Sequence, residues 1–216
     1  MDQNIIQTIA VYAIPVLFAI TMHEVAHGWV ARRLGDPTAQ MLGRLSLNPI
    51  KHVDPIGTVL VPALMLFLGG FLFGWAKPVP ISPRNFKNPR RDMALVALAG
   101  PLSNLAMAVF WALVIRAALA AQIPSVSYPL ALMGKAGVFI NVILLVLNLL
   151  PVPPLDGGRV LAGLVPSRMA ATLDRVEPFG FIIIILLLAT QQLNVILGPP
   201  FYAVSGALFR HIGGVG

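Results

Sequence analysis

Long apolar runs separated by short basic or Pro-rich stretches set the pattern of the chain. Between Ile5 and Met22 no residue is charged, and helical character continues to about Leu34, where Gly35 and Pro37 supply stop signals. A helix of that extent is about 45 Å long. It crosses a hydrocarbon core of about 30 Å and overshoots at Arg32 and Arg33. Further apolar spans are expected over residues 93–116, 133–153 and 179–198. Residues 56–75 are apolar too, but are broken by Gly57, Pro62, Gly69 and Gly70. Residues 201–209 are too short to span and are expected to form an interfacial helix after the Gly198-Pro199-Pro200 break. The stretch from Met41 to Asn48 reads as short strand or loop.

Composition turns this pattern into a fold class. Of 216 residues, 57% are hydrophobic and 11% charged, with mean hydropathy +0.84. A soluble domain would be about 45–50% apolar and about 25% charged. The expectation is an all-α integral membrane protein: one membrane-embedded domain over 1–216, a polytopic helical bundle of four to six spans, with minor β structure in a loop. The first apolar run lacks a basic leader and a small-residue cleavage site, so it reads as a retained span. The net charge of +7 is dispersed between apolar runs. Nucleic acid is therefore not an expected partner, and the bases instead set orientation in a lipid bilayer. With no cysteine, any metal must be held by His and carboxylate.

Two loops are basic: one with Arg32, Arg33, Arg44 and Lys51, the next with Lys77, Arg84, Lys87, Arg90 and Arg91. Positive-inside bias wants both in the cytoplasm, yet one crossing by residues 56–75 would separate them. That segment is therefore expected to be a re-entrant hairpin covered by other helices, with a single crossing as the alternative. On this arrangement all Lys and Arg except Arg116, Lys135 and Arg210 face the cytoplasm.

Polar groups inside the first span carry the chemistry. His23 and His27 are four residues apart, about 40° from each other on a helix, and can share one metal ion. Glu24 lies beside them, one of only two glutamates in the chain. This is the H-E-x-x-H arrangement of zinc peptidases, in which the glutamate is general base. Unpaired, each group would be costly in hydrocarbon, whereas a metal satisfies all of them. A third ligand must come from elsewhere. His52 and Asp54 sit in a basic loop that reads as a solvated turn, and His211 lies beyond the last span. Asp156 is the leading candidate, set between Pro153 and Pro154 on one side and Gly157 and Gly158 on the other. There prolines halt the helix, and glycines permit positive φ and close backbone approach.

HEVAH on a membrane helix, "AGPLSN" at the head of a later span and "NLLPVPPLDGG" at the end of the next together resemble the site-2 protease family of intramembrane zinc metalloproteases, in its compact bacterial branch. The resemblance implies one zinc per chain held by His23, His27 and Asp156, with Glu24 as catalytic base. It also implies that Asn148 orients or stabilises the substrate carbonyl; the other reading of Asn148 is an interhelical hydrogen bond. Gly100, Pro101 and Asn104 match the family's Gly-Pro-x-x-Asn element. The chain has no room for PDZ or CBS domains. The implied activity is hydrolysis of peptide bonds within or near membrane spans of protein substrates, at a multi-pass cell-membrane site nearer the cytoplasmic face. Part of Met41–Asn48 is expected to receive an unwound substrate segment by strand addition. The rival is a non-enzymatic zinc-binding membrane protein or metal carrier, which would keep the histidines but have no need of the glutamate. The sequence leaves substrate identity and oligomeric state open.

Overall fold

The structure, a computed structural model, describes residues 5–54, 57, 60 and 77–215. Helix α1 (Ile5–Arg33) ends in Arg32 and Arg33, which complement the negative end of the helix dipole. Gly35, at φ 110°, turns the chain away. A short α2 (Thr38–Met41) follows. Then come α3 (Pro89–Ala121), α4 (Pro124–Asn148), α5 (Asp156–Leu164), α6 (Ser167–Ala189) and α7 (Gln192–Ala207), which runs into a π-helical turn over Leu208–Gly213. The architecture is all-α, and the chain is membrane-embedded.

Three helical segments are long and apolar enough to cross a membrane: Ala10–Arg33, Pro89–Ala121 and Ser125–Asn148. A fourth is added if Ser167–Ala189 and Gln192–Gly213, which meet at 86°, form one broken span. The expected re-entrant segment 56–75 lies outside the described residues apart from Gly57 and Leu60. The expected β structure at Met41–Asn48 is absent: among the described residues there is no strand. Among the described residues no strand pairs with it. Instead Arg44 N–H returns to Ala39 O at 2.8 Å, and the Arg44 guanidinium donates to Lys77 O at 2.8 Å.

Helix boundaries also differ from expectation, among them the start of α4 at Pro124 and not at 133 and the end of α3 at Ala121 and not at 116. The expected span 133–153 ends at Asn148, because Pro151 and Pro153 cannot continue a helical ladder. The last span begins twelve residues early, at Ser167, and breaks at Thr190–Gln191, where Gln191 takes left-handed backbone at φ 58°. Gly198, Pro199 and Pro200 lie inside α7, so no separate interfacial helix starts at Phe201.

The helices α3 and α4 pack closely. A Cβ on Gly137 would fall 2.1 Å from the Trp111 ring, and one on Gly134 would fall 2.5 Å from Ile115. These glycines let the helices close on a core of Trp111, Ile115, Val138 and Val142. Large apolar side chains such as Phe110, Leu113, Phe139, Ile182 and Leu186 are exposed, while Asn104 and Asn141 are fully buried. That inversion suits a chain whose surroundings are lipid.

Candidate metal centre

His23 and His27 lie one turn apart on α1, their rings 4.6 Å apart and nearly perpendicular. Each ring spends Nδ1 outside the pair. His27 Nδ1 donates to the carbonyl oxygen of Val96 on α3 at 2.7 Å, and His23 Nδ1 donates to Asn104 Oδ1 at 2.6 Å. A neutral imidazole protonated at Nδ1 leaves Nε2 as a bare acceptor. The two Nε2 atoms sit 3.0 Å from each other.

The third member arrives from the far side of the sequence. The cis Pro153–Pro154 bond lies in the loop after α4, and Asp156 is the first residue of α5. Gly157 makes the fold-back possible by proximity: a Cβ there would stand 2.4 Å from the carbonyl oxygens of both Leu149 and Leu150. Neither Gly157 nor Gly158 has positive φ, so close approach and not conformational freedom is what this turn requires. The fold-back puts Asp156 Oδ2 3.2 Å from His23 Nε2 and 3.3 Å from His27 Nε2.

These three ligand atoms all lie within 4.8 Å of one another. With both imidazoles donating from Nδ1, no hydrogen stands between them, and Asp156 Oδ2 is buried without a hydrogen-bond donor. Three lone pairs facing one buried point repel unless a cation sits among them. The donor set, two imidazole nitrogens and one carboxylate oxygen, is the one catalytic zinc uses with a fourth position open. The residues therefore fit a zinc ion.

The surroundings form a cavity of about 190 Å³. Glu24 and Asn148 line it, with Val79, Val96 and Arg159. Glu24 Oε2 accepts from Val79 N–H at 2.7 Å. Asn148 Nδ2 donates to Leu144 O at 2.9 Å within its own helix and makes no interhelical hydrogen bond among the described residues. Gly100 is the floor: a Cβ there would lie 2.4 Å from His27 Nε2 and 2.6 Å from His23 Cε1.

His52 and His211 stay apart from this cluster. His52 is buried, against the reading of a solvated turn, and its Nε2 donates to Ser46 O at 2.9 Å. His211 lies in the turn after α7 and lines a different cavity. Asn141 and Val79 received no reading from sequence. A signal for Asn141 existed: it stands seven residues before Asn148, two turns away on one face of an apolar helix.

Compared with known families, the chain matches peptidase family M50 over residues 118–190. It is 42% identical over 200 residues to YwhC of Bacillus subtilis, named "Putative zinc metalloprotease", covering 91% of this chain and 88% of that protein. The chain belongs to peptidase family M50, the site-2 proteases. Two other relatives bear the same description. Rip2 of Mycolicibacterium smegmatis is 33% identical, and Rip2 of Mycobacterium tuberculosis 31% identical; each match covers 82% of this chain and 66% of the relative. No solved structure gives a significant match. As an M50 protein the chain is a membrane metalloprotease.

Proposed function

We propose that this M50 protein is a zinc endopeptidase that hydrolyses peptide bonds within or next to the membrane spans of other proteins. Three buried lone-pair atoms converging beside Glu24, in a cavity among apolar helices, carry the reading. His23, His27 and Asp156 hold one zinc ion. When bound, zinc supplies a Lewis acid that polarises a carbonyl and acidifies a water. Glu24 takes the proton of the attacking water and returns it to the leaving amine. Val79 N–H holds one carboxylate oxygen of that base, while Oε1 makes no hydrogen bond among the described residues. Asn148 Nδ2 gives one hydrogen to Leu144 O, and its second is open to a substrate carbonyl.

On this reading the protein is multi-pass in the cell membrane, and the basic ends of the loops after α1 and before α3 support a centre nearer the cytoplasmic face. A substrate span hides its carbonyls in its own helix, so local unwinding precedes attack.

The test is zinc content and cleavage of a single-span peptide by the purified protein. Glu24→Gln should keep its zinc and lose about 10²–10⁴-fold in turnover. His23→Ala and Asp156→Ala should lose the metal itself. An active Glu24→Gln protein, or an Asp156→Ala protein with wild-type zinc affinity, overturns the assignment.

A further inference from the structure

Behind the histidine pair runs a chain of buried amides that ends on a backbone carbonyl. His23 Nδ1 meets Asn104 Oδ1 at 2.6 Å, and Asn104 Nδ2 donates to Ala19 O at 3.2 Å and to Asn141 Oδ1 at 3.0 Å. Asn141 Nδ2 in turn donates to Gly137 O at 2.8 Å. Both asparagines are fully buried. The direction of every bond is forced. Gly137 O can only accept, so Asn141 must present its NH₂ there and its Oδ1 to Asn104. Asn104 must then donate toward Asn141, as it also must toward Ala19 O, which leaves its Oδ1 facing His23. His23 Nδ1 has to carry the hydrogen, and Nε2 has to be the bare atom.

We infer that Asn141 is a positioning residue for the metal centre, acting through Asn104 to fix the tautomer and ring orientation of His23. The inference rests on the zinc reading above and extends it to a residue on α4 that does not line the cavity and whose hydrogen bonds go to Asn104 and Gly137. Three helices are joined by this chain: α1 through His23 and Ala19, α3 through Asn104, α4 through Asn141. Loss of the Asn141 acceptor strands a buried N–H of Asn104. Only the longer 3.2 Å bond to Ala19 O then fixes the amide, and its hold on the N–H of His23 loosens. Partners that orient a ligating imidazole in this way contribute about 10–100-fold to metal affinity.

Asn141→Ser isolates the contact. A helical serine can still bond the carbonyl four residues back, here Gly137 O, but cannot reach across to Asn104. Asn141→Leu removes both bonds at similar volume, and the serine variant carries the test if the leucine variant fails to fold. Asn141→Asp is the conservative rescue. In apolar surroundings the carboxyl stays protonated, so its hydroxyl donates to Gly137 O and its carbonyl accepts from Asn104.

The measurement is zinc affinity by chelator competition on the full-length protein, with the visible absorption of the cobalt-substituted protein as a second readout. Asn141→Ser should bind zinc about 10–100-fold more weakly and alter the cobalt spectrum, with Asn141→Asp close to wild type in both. Val142→Ala, a cavity made at the neighbouring buried position, should lower the unfolding midpoint and leave zinc affinity unchanged. Wild-type affinity and spectrum in Asn141→Ser overturn the inference. So does a loss of affinity in Val142→Ala equal to that in Asn141→Ser. A wild-type protein that binds no zinc is a different failure, that of the zinc reading itself.

Discussion

Gly100 stands where a methyl group would occupy the space of two imidazoles. A Cβ 2.4 Å from His27 Nε2 is closer than any relaxed contact, and Asn104 and Val96 O hold the rings from behind. Gly100→Ala must therefore push the histidines off their common point. We expect zinc binding at least about tenfold weaker and turnover about 10²-fold lower, read by metal titration and peptide cleavage on a protein that still folds. Asp36 offers a different kind of test, outside the spans. Burial pushes its carboxyl upward, but hydrogen bonds from Thr38, from Ser82 N–H and from Asn85 outweigh that and hold it below its ordinary value of 3.8. A carboxyl depressed in the folded state contributes stability that is complete above its unfolded value and is lost as pH falls through the folded one. Between pH 7 and pH 3 the wild type should lose more of its thermal stability than Asp36→Asn, measured by unfolding midpoints in detergent.

The elements near the site are tied at points a sequence does not display. Arg90 at the start of α3 donates to Ala162 O at 2.9 Å, to Val165 O, and to Ser167 Oγ at 3.0 Å. It thereby closes the C-terminus of α5, the helix that begins with Asp156. Arg90→Ala should lower the unfolding midpoint by an amount worth about 1 kcal/mol, since the contacts are exposed. The polar triplet of α1 was legible because His, Glu and His have few reasons to occupy an apolar run, and Asp156 because prolines and glycines frame it. The break between α6 and α7 was not read, although Thr190, Gln191 and Gln192 interrupt the apolar pattern there. Gly198-Pro199-Pro200 carried the stronger stop signal, yet in α7 it costs only the ladder bonds to Val195 and Ile196 carbonyls, on an exposed face. The Asn104–Asn141 pair was hidden for another reason. Its meaning arises only when α3 and α4 pack together, and spacing along one helix cannot state a contact between two.

On the scale of the whole molecule, the chain lacks cysteine, which makes its orientation directly measurable. Single cysteines at Lys87 and at Gln122, on either side of the 33-residue α3, should react with impermeant reagents from opposite faces of the membrane, Lys87 from the cytoplasm. Labelling of both from one face would overturn the proposed topology. The position of the centre along α1 then has a consequence for what is made there. His23 is ten residues from Arg33 and eighteen from Ile5, about 15 Å against about 27 Å of helix. A span severed at that depth divides unequally. The fragment on the arginine side retains too few apolar residues to stay in a core of about 30 Å, whereas the longer fragment stays anchored. The proposed cleavage would thus yield one product that leaves for water and another that remains in lipid.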